Sequence, residues 1–350
     1  MREEFFMISD VRGSPETVRN VVSNSRGLRL LAERVCGKDV KRFFFLGCGS
    51  SYYAALFGAW PLLYSGVQAY ALPSSEFLFY YSGLAGEGSV VVGVSRSGLT
   101  AETVSAVRKA RENGAFTVSF TTGVGSELSR ECGESFLVDV GEEKSIIMTK
   151  SFVGLSLASA IFSSEVSRNL FGRDCRLAGD LSKLSTSAEE LLKRESLLQD
   201  MAYARVRGGV ERFVFLGSGP AYPIALEGAL KVKETSYVAS EAFHTLEFRH
   251  GPMSTLGEKQ TLFLVSCRGE GFTPSKRLHS EMLEKNADVI VLTNAQEEFE
   301  KPIWVPYVES EEAATLLSII PVQLFAYHYA TARGRNPDRP RNLSRYVERF

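Results

Sequence analysis

Three charged residues recur along one predicted helix. Glu227, Lys231 and Glu234 are separated by steps of four and three, and this spacing places side chains on one helical face. The rest of the stretch is mostly small and apolar, so we expect the row to face a cleft; a solvated ion pair is the alternative. In a cleft, a carboxylate beside a lysine can move a proton while the cation stabilises developing negative charge.

A second candidate site follows a buried apolar run, in Ser95-Arg96-Ser97-Gly98-Leu99-Thr100. The hydroxyls of Ser95, Ser97 and Thr100 could each donate to a phosphate oxygen. Gly98 would let the backbone approach the anion, and the dipole of the following helix favours a dianion. A plain N-cap by Thr100 is the alternative, but it would need only one of these hydroxyls. The segment therefore predicts a phosphate site.

The earlier turn Gly47-Cys48-Gly49-Ser50-Ser51 is a weaker candidate. It places small residues and two hydroxyls where the next helix presents free N–H groups. A tight turn with Ser50 as N-cap is the alternative, since a Gly-x-Gly pattern alone is weak evidence. In the second half of the chain, Val265-Ser266-Cys267-Arg268-Gly269-Glu270 keeps one hydroxyl, and Glu270 would repel phosphate. We therefore expect one phosphate site per chain.

Two histidines lie in the segment Ser240–Pro252. His250 precedes Gly251 and Pro252 on a sharp turn, where an imidazole could transfer protons near neutral pH. We interpret His244 as structural, which is the commoner role of a lone histidine.

Composition narrows the class of protein. The 350 residues carry 40 basic and 41 acidic side chains, so a net charge of −1 gives no electrostatic case for nucleic-acid or membrane binding. The five cysteines show no C-x-x-C pair and no metal-ligand spacing to the four histidines. The N-terminus lacks a secretory pattern, and the apolar stretch 316–332 is interrupted by polar residues. We expect a reduced, cytoplasmic protein without metal or cofactor.

The chain repeats itself at an offset of 170 residues. Residues 42–58 and 212–228 agree at ten of seventeen positions, and both begin with an apolar run, a Gly-x-Gly turn and a helical stretch. Such ordered identity predicts two homologous domains.

Strand-like and helix-like stretches alternate in both halves. The first half has a strand at Val90–Val94, a helix at Ala101–Asn113 and a strand at Phe116–Phe120; the second has Thr261–Val265, Pro274–Asn286 and Val289–Leu292. A helix at Phe152–Leu170 closes the first half, a turn follows at 172–174, and a long helical lead spans Leu177–Arg205. The pattern predicts an α/β fold of two parallel sheets, each flanked by helices in three αβα layers of flavodoxin-like type. We place the domains at 1–171 and 172–333, with an extended tail at 334–350 over the active site.

Together these segments resemble the sugar isomerase (SIS) family, and more closely the isomerase half of glucosamine-6-phosphate synthase and its relatives. The most specific stretches are Gly47–Ser51, Ser95–Thr103, Thr149–Phe152, Leu226–Glu234, Glu247–Pro252 and Pro340–Leu343. The resemblance covers nearly the whole chain.

The resemblance implies roles for the candidate residues. Glu234 would move a proton between C1 and C2 of the sugar, Lys231 would lie beside it, and His250 would open the sugar ring. In the family this histidine comes from a neighbouring subunit, which implies a homodimer with His250 contributed across the interface. The expected substrate contacts are Cys48, Gly49, Ser50, Ser51, Ser95, Arg96, Ser97, Thr100, Ser145 and Glu227.

Departures from the synthase pattern refine the expected activity. Residue 2 is Arg2 and about forty residues precede the first strand, so we expect no glutamine-hydrolysing domain. Arg345 stands where the family has a lysine that forms a Schiff base, and an arginine is not a useful amine nucleophile. The Glu143-Lys144-Ser145 segment replaces small residues and looks like that of stand-alone deaminases.

The resulting hypothesis is a glucosamine-6-phosphate deaminase, which opens the ring, isomerises the sugar and hydrolyses the imine to fructose 6-phosphate and ammonia. Alternatives are a fructosamine-6-phosphate deglycase, a galactosamine-6-phosphate deaminase/isomerase, and a sugar-phosphate sensor without turnover. The expected partner is a small sugar phosphate, with no nucleic acid and no membrane.

Overall fold

The computed structural model describes residues 4–172 and 176–350. Its ten strands within these ranges are β1 (Arg42–Gly47), β2 (Ala69–Pro73), β3 (Ser89–Ser95), β4 (Phe116–Thr121), β5 (Glu134–Leu137), β6 (Arg212–Gly217), β7 (Ala239–His244), β8 (Gln260–Val265), β9 (Asp288–Thr293) and β10 (Ile303–Trp304). The repeat found in the sequence thus places β1 and β6 at matching positions.

Helices fill the intervals between these strands. They are α1 (Phe6–Arg12), α2 (Ser14–Ser23), α3 (Ser25–Cys36), α4 (Ser50–Tyr64), α5 (Ser74–Glu76), α6 (Ala101–Glu112), α7 (Glu127–Glu131), α8 (Lys150–Phe171), α9 (Leu177–Asp180), α10 (Leu184–Leu192), α11 (Glu195–Arg207), α12 (Ala221–Ser236), α13 (Phe272–Glu284), α14 (Glu311–Leu317) and α15 (Ile319–Ala332). Short 3₁₀ or π turns occupy Phe77–Tyr81, Ser82–Leu84, Leu181–Lys183, Glu247–Arg249, Pro252–Thr255 and Gln296–Glu298.

The described residues form two compact units. The first-sheet unit contains residues 16–143, the described part of 150–178, and 344–350. The second-sheet unit contains residues 4–15, 144–149 and 179–343. Each unit holds one five-stranded sheet.

Both sheets have the same strand order. The first runs β2-β1-β3-β4-β5, and the second, read from the opposite edge, runs β7-β6-β8-β9-β10. Every strand pair is parallel. This is the flavodoxin-like order, in which the chain reverses direction of winding beside the first strand and ligands bind at the carboxyl ends of the strands. The predicted fold class is confirmed.

Apolar side chains explain why the strands are central. All residues of β3 and β8 are buried, as expected for parallel strands covered by helices on both faces. Aromatic rings fill one side of the second sheet: Phe215 stacks on Phe263 with centroids 4.6 Å apart, and Tyr329 of α15 meets Phe213 edge-on at 4.9 Å. These contacts fix α15 against the sheet.

The predicted helical lead over Leu177–Arg205 is wrong as a continuous helix. The structure divides it into α9, a 3₁₀ turn, α10 and α11. At the first break, the carboxylate of Asp180 accepts the backbone N–H groups of Glu309 and Ser310 at 3.0 and 2.7 Å. The side chain of Asp180 is thereby bonded to the start of α14, where Ser310 is the N-cap residue. In the preceding predicted turn, residues 173 and 174 lie outside the described ranges.

One segment, 311–332, is helical and apolar enough to span a membrane by length and composition, but its apolar window is entirely buried inside the fold. A core helix has the same properties, and β6 and β8 lie beside it in the second-sheet unit.

The close crossing of α4 and α8 yields a stability prediction. A Cβ added to Gly58 would lie 2.4 Å from Cβ of Ser159, so Gly58→Ala must push the two helices apart. Overpacking of this kind costs about 1–3 kcal/mol, and urea denaturation should show the free energy of unfolding reduced by that amount. Gly83→Ala is the matched control, because nothing lies within 4 Å of its added Cβ. Equal stability of the two variants would contradict the prediction.

Candidate active site

In the second-sheet unit, the predicted row of charges forms one buried cluster on α12. The Lys231 Nζ lies 3.1 Å from Glu227 Oε1 and 2.7 Å from Glu234 Oε2. Side chains of Lys231 and Glu227 are 0% exposed, whereas that of Glu234 is 18% exposed. The solvated ion pair considered from the sequence is therefore excluded for Lys231 and Glu227, and Glu234 is the carboxylate with access to solvent.

The cluster keeps its lysine charged. Burial alone would lower the pKa of Lys231, but the two carboxylates outweigh burial, so the pKa is raised above its ordinary value. A protonated lysine is thus built into the site. Such a cation can stabilise an oxyanion that forms within its reach.

A loop of the same unit completes the environment of Lys231. Its ammonium donates to the carbonyl oxygen of Met148 at 3.2 Å. Gln323 of α15 donates through Nε2 to the neighbouring carbonyl of Thr149 at 3.2 Å. The backbone that receives the lysine is therefore itself held by a buried amide.

The start of this loop is fixed by an acid from α1. The backbone N–H groups of Lys144 and Ser145 donate to Oδ2 of Asp10 at 3.0 and 2.8 Å. Ser145, a predicted sugar contact, is fully buried. Sequence reasoning missed Asp10, since nothing in its local spacing links it to a loop more than a hundred residues away.

In the first-sheet unit, the predicted phosphate segment forms one compact turn. Gly98 has φ +64° and lies so close to Ser126 that a side chain at this position would clash. Its N–H donates to Ser95 Oγ at 3.1 Å, and the N–H of Leu99 donates to Ser97 Oγ at 3.1 Å. Accepting one bond leaves each serine hydroxyl its own proton, which it can donate to an anion.

Thr100 occupies the N-cap position of α6, but its side chain does not cap the helix. Its Oγ1 instead lies 3.4 Å from Ser95 Oγ. The structure thus brings the three predicted hydroxyls into the same turn at the end of β3, which is where parallel sheets of this type bind ligands.

Arg96 of this turn is buried and ion-paired. Its Nη1 lies 3.2 Å from Glu143 Oε2, and both side chains are almost fully enclosed. Its backbone carbonyl accepts from the backbone N–H of Thr122 at 3.1 Å. The charge of Arg96, predicted to meet a phosphate, is therefore already matched by a carboxylate that the sequence reasoning did not include among the site residues.

The turn after β1 lies beside this segment. Gly49, and not Ser50, occupies the N-cap position of α4, while Ser50 and Ser51 are buried. Cys48 Sγ lies 3.7 Å from the hydroxyl of Thr103 on α6. Burial raises the pKa of Cys48, so the thiol stays protonated at neutral pH.

The two histidines of Ser240–Pro252 differ in environment. His250 is exposed at the end of a 3₁₀ turn. Its backbone N–H donates to the backbone carbonyl of Glu247 at 3.0 Å. His244 stacks on Tyr222 with centroids 3.6 Å apart, and partial burial lowers its pKa. Across residues 4–172 and 176–350, no three His, Cys, Asp or Glu side chains are grouped so as to hold a metal ion.

Comparison with known proteins identifies the family. The profile of the SIS domain matches residues 38–162 and 209–333. The chain belongs to the SIS domain family. It carries two tandem SIS domains, and each match contains one of the two parallel sheets described above.

Individual relatives extend this assignment. The "Glutamine--fructose-6-phosphate aminotransferase [isomerizing]" of Chlorobaculum tepidum is 29% identical over 371 residues, which cover 98% of this chain and 58% of that protein. The chain thus spans little more than half the length of the curated relatives it matches.

Two solved structures share the fold. The C-terminal domain of the glucosamine-fructose-6-phosphate aminotransferase of Francisella tularensis has a TM-score of 0.85 at 24% identity, covering 97% of this chain and 99% of that one. The glucosamine-6-phosphate deaminase of Thermotoga maritima has a TM-score of 0.73 at 24% identity, also covering 97% and 99%.

The buried cluster predicts a specific dependence of stability on residue 231. Lys231→Met leaves buried Glu227 without its cation, and breaking a buried pair costs about 3–5 kcal/mol. Urea denaturation should show this loss. Lys233→Met is the matched control, since Lys233 is exposed on the same helix and should change stability little.

The same variant tests the raised pKa. Because folded Lys231 binds its proton more tightly than the unfolded chain does, its contribution is complete below the ordinary value of 10.5 and is lost as pH rises through the folded-state pKa. The difference between wild-type and Lys231→Met stability should therefore shrink at alkaline pH. A constant difference across that range would contradict the assignment.

Proposed function

We propose that this SIS-domain protein is a glucosamine-6-phosphate deaminase, which converts glucosamine 6-phosphate and water to fructose 6-phosphate and ammonia. The observation that carries the proposal is the α12 cluster, in which a buried lysine cation is coupled to the partly exposed carboxylate of Glu234. An isomerase acting on an aldose needs this pair of groups, a base for the carbon-bound proton and a cation for the oxygen. A plain binding protein needs neither.

The proposed chemistry follows the open-chain sugar. Glu234 removes the proton from C2 and returns it to C1, while Lys231 stabilises the negative charge that develops on the C1 oxygen. The C1 oxygen takes up a proton and the C2 amine gives one up, both by way of solvent, so the product is a ketose imine at C2 with a hydroxyl group at C1. Water then adds to C2, the C–N bond breaks, and ammonia leaves with fructose 6-phosphate. Each bond that is broken in the amino sugar is thereby accounted for without a cofactor.

The phosphate of the substrate would bind the turn formed by Ser95, Ser97 and Thr100. Hydroxyl donors at a helix start suit a dianion. Binding the remote phosphate would supply the energy that holds the open chain in its reactive pose. Cys48, Gly49, Ser50, Ser51, Ser145 and Glu227 are the further residues proposed to contact or surround the substrate.

Arg345 favours deamination over synthesis. A synthase of this family forms a Schiff base through a lysine at the matching position, and a guanidinium stays protonated and cannot do so. Its Nη2 donates to the carbonyl oxygen of Glu143 at 2.6 Å. A deaminase requires no such adduct, because its substrate already carries the nitrogen.

The test is ammonia release from glucosamine 6-phosphate by purified protein. Glu234→Gln removes the base but keeps the size of the side chain, so turnover should fall by about 10²–10⁴-fold. Glu241→Gln is the matched control, because Glu241 is an exposed carboxylate of the same unit, and it should retain activity.

Other results would redirect the proposal. Full activity in Glu234→Gln would remove the catalytic assignment. Ammonia from galactosamine 6-phosphate alone would change the epimer, and amine release from a fructose-linked amine alone would indicate a deglycase. Binding without any turnover would indicate a sensor.

We further propose a homodimer in which His250 opens the sugar ring in the site of the other subunit. Its exposed position on the turn before Gly251 supports this role. A shared site predicts complementation: when Glu234→Gln and His250→Gln chains are mixed and allowed to exchange subunits, each mixed dimer regains one complete site. Random pairing should then restore about a quarter of wild-type turnover. Activity that never exceeds that of the separate variants would assign His250 to its own chain.

The cysteines support a location in the reducing cytoplasm. Cys36, Cys48, Cys132 and Cys267 are thiols without a disulfide in the described part of the chain. Burial raises the pKa of Cys132 and of Cys267 to about 12, which keeps both protonated and unreactive.

A further inference from the structure

We infer that Arg345 is a positioning residue of the phosphate turn. It holds Arg96 and Glu143 in place, and it supplies the positive charge that Arg96 does not offer because Arg96 is paired with Glu143. The inference rests on the proposed function in one respect, namely that the turn 95–100 binds the substrate phosphate. All the residues concerned belong to the first-sheet unit.

Arg96 is enclosed within the first-sheet unit. Its guanidinium pairs with Glu143, and the two side chains are only 7% and 2% exposed. The same carboxylate accepts the backbone N–H and the hydroxyl of Ser151 at 3.0 and 2.5 Å, at the start of α8. The side chain of Arg96 is thus fixed by a residue that is itself held in two further bonds. Its charge is cancelled locally, and so it is poorly suited to bind a dianion.

Arg345 contacts both members of this ion pair. Its backbone carbonyl accepts from Arg96 Nη2 at 3.1 Å, while its own Nη2 donates to the backbone carbonyl of Glu143 at 2.6 Å. One residue of the tail therefore touches both partners of the buried ion pair. Only the bond to Glu143 depends on the arginine side chain, because the bond to Arg96 uses the backbone carbonyl of residue 345.

The tail continues past Arg345 and contacts the start of α6. Two residues further on, the carbonyl of Val347 accepts the N–H of Ala101, the first residue of α6, at 3.1 Å. Residue 345 thus contacts the ion pair of Arg96, and residue 347 contacts the start of α6. One of the helix-start N–H groups is thereby taken by the tail, and an incoming phosphate must use the hydroxyls and the remaining N–H groups.

The charges of Arg96, Glu143 and Arg345 do not cancel. Arg96 and Glu143 compensate each other, whereas the exposed Arg345 pairs with no carboxylate in residues 4–172 and 176–350. The three side chains together carry one net positive charge, and that charge sits on the tail residue. A phosphate dianion approaching this turn is attracted by Arg345, even where the contact is not direct.

The experiment compares Arg345→Ala with Arg345→Lys and with Arg111→Ala, an exposed arginine in the last turn of α6, about 15 Å from the start of that helix. Binding of inorganic phosphate and of fructose 6-phosphate is measured by titration calorimetry, and KM, kcat and Tm are measured beside it. Arg345→Ala should raise the Kd of both probes and KM by about tenfold, as expected for the loss of one charge-assisted interaction. It should leave kcat within about twofold and Tm almost unchanged, because this residue is exposed.

The conservative variant Arg345→Lys separates the contribution of the positive charge from that of the guanidinium geometry. Arg345→Lys keeps the charge but not the fork, so its Kd should lie between those of wild type and Arg345→Ala, while Arg111→Ala should match wild type. Equal probe affinity in all four proteins would overturn the inference even if deamination is observed. Conversely, weaker probe binding in Arg345→Ala without any ammonia release by the wild type would leave the inference standing and remove the proposed function.

Discussion

A charge without solvent must be matched by nearby groups of opposite sign, and the fully buried Lys231 imposes this constraint on the second-sheet unit. Glu227 and Glu234 supply the counter-charges from the same helix, but an ammonium has three protons and needs a third acceptor. The carbonyl of Met148 provides it. The loop 144–149 must therefore keep one conformation, and Asp10 and Gln323 hold its two ends. Two carboxylates around one lysine also leave one excess negative charge in the cluster, and Glu234 is its partly exposed carboxylate.

The duplicated fold carries different polar side chains on one arrangement of strands. In the first-sheet unit the helix after β3 begins with hydroxyl groups suited to an anion. In the second-sheet unit the charged groups lie on α12, the helix after β6, and β6 matches β1 of the first sheet. Both sets follow strands of a parallel sheet with the same order, so divergence affected side chains and not architecture.

Much of this could be predicted because it depends on local patterns. The repeat and the apolar runs located the strands; β3, for example, begins one residue before and ends one residue after the predicted Val90–Val94. Spacing along a helix was enough to group Glu227, Lys231 and Glu234. The pairing of Arg96 could not be predicted from the sequence. Its partners Glu143 and Arg345 lie 47 and 249 positions away, and single charges at such separations carry no periodic signal. The contact at the first break before α11 was missed for a similar reason, because Asp180 and its donor Ser310 lie 130 positions apart.

The discontinuous make-up of the two units has a consequence for biosynthesis. The first-sheet unit includes the last seven residues, 344–350, and the second-sheet unit includes the first helix, α1. While the chain emerges from the ribosome, α1 is synthesised long before residues 179–343 of its own unit, and β1–β5 are synthesised long before residues 344–350 of theirs. The contacts of Arg345 with Arg96 and Glu143 therefore form only after the chain has been synthesised as far as residue 345, long after every strand of the first sheet.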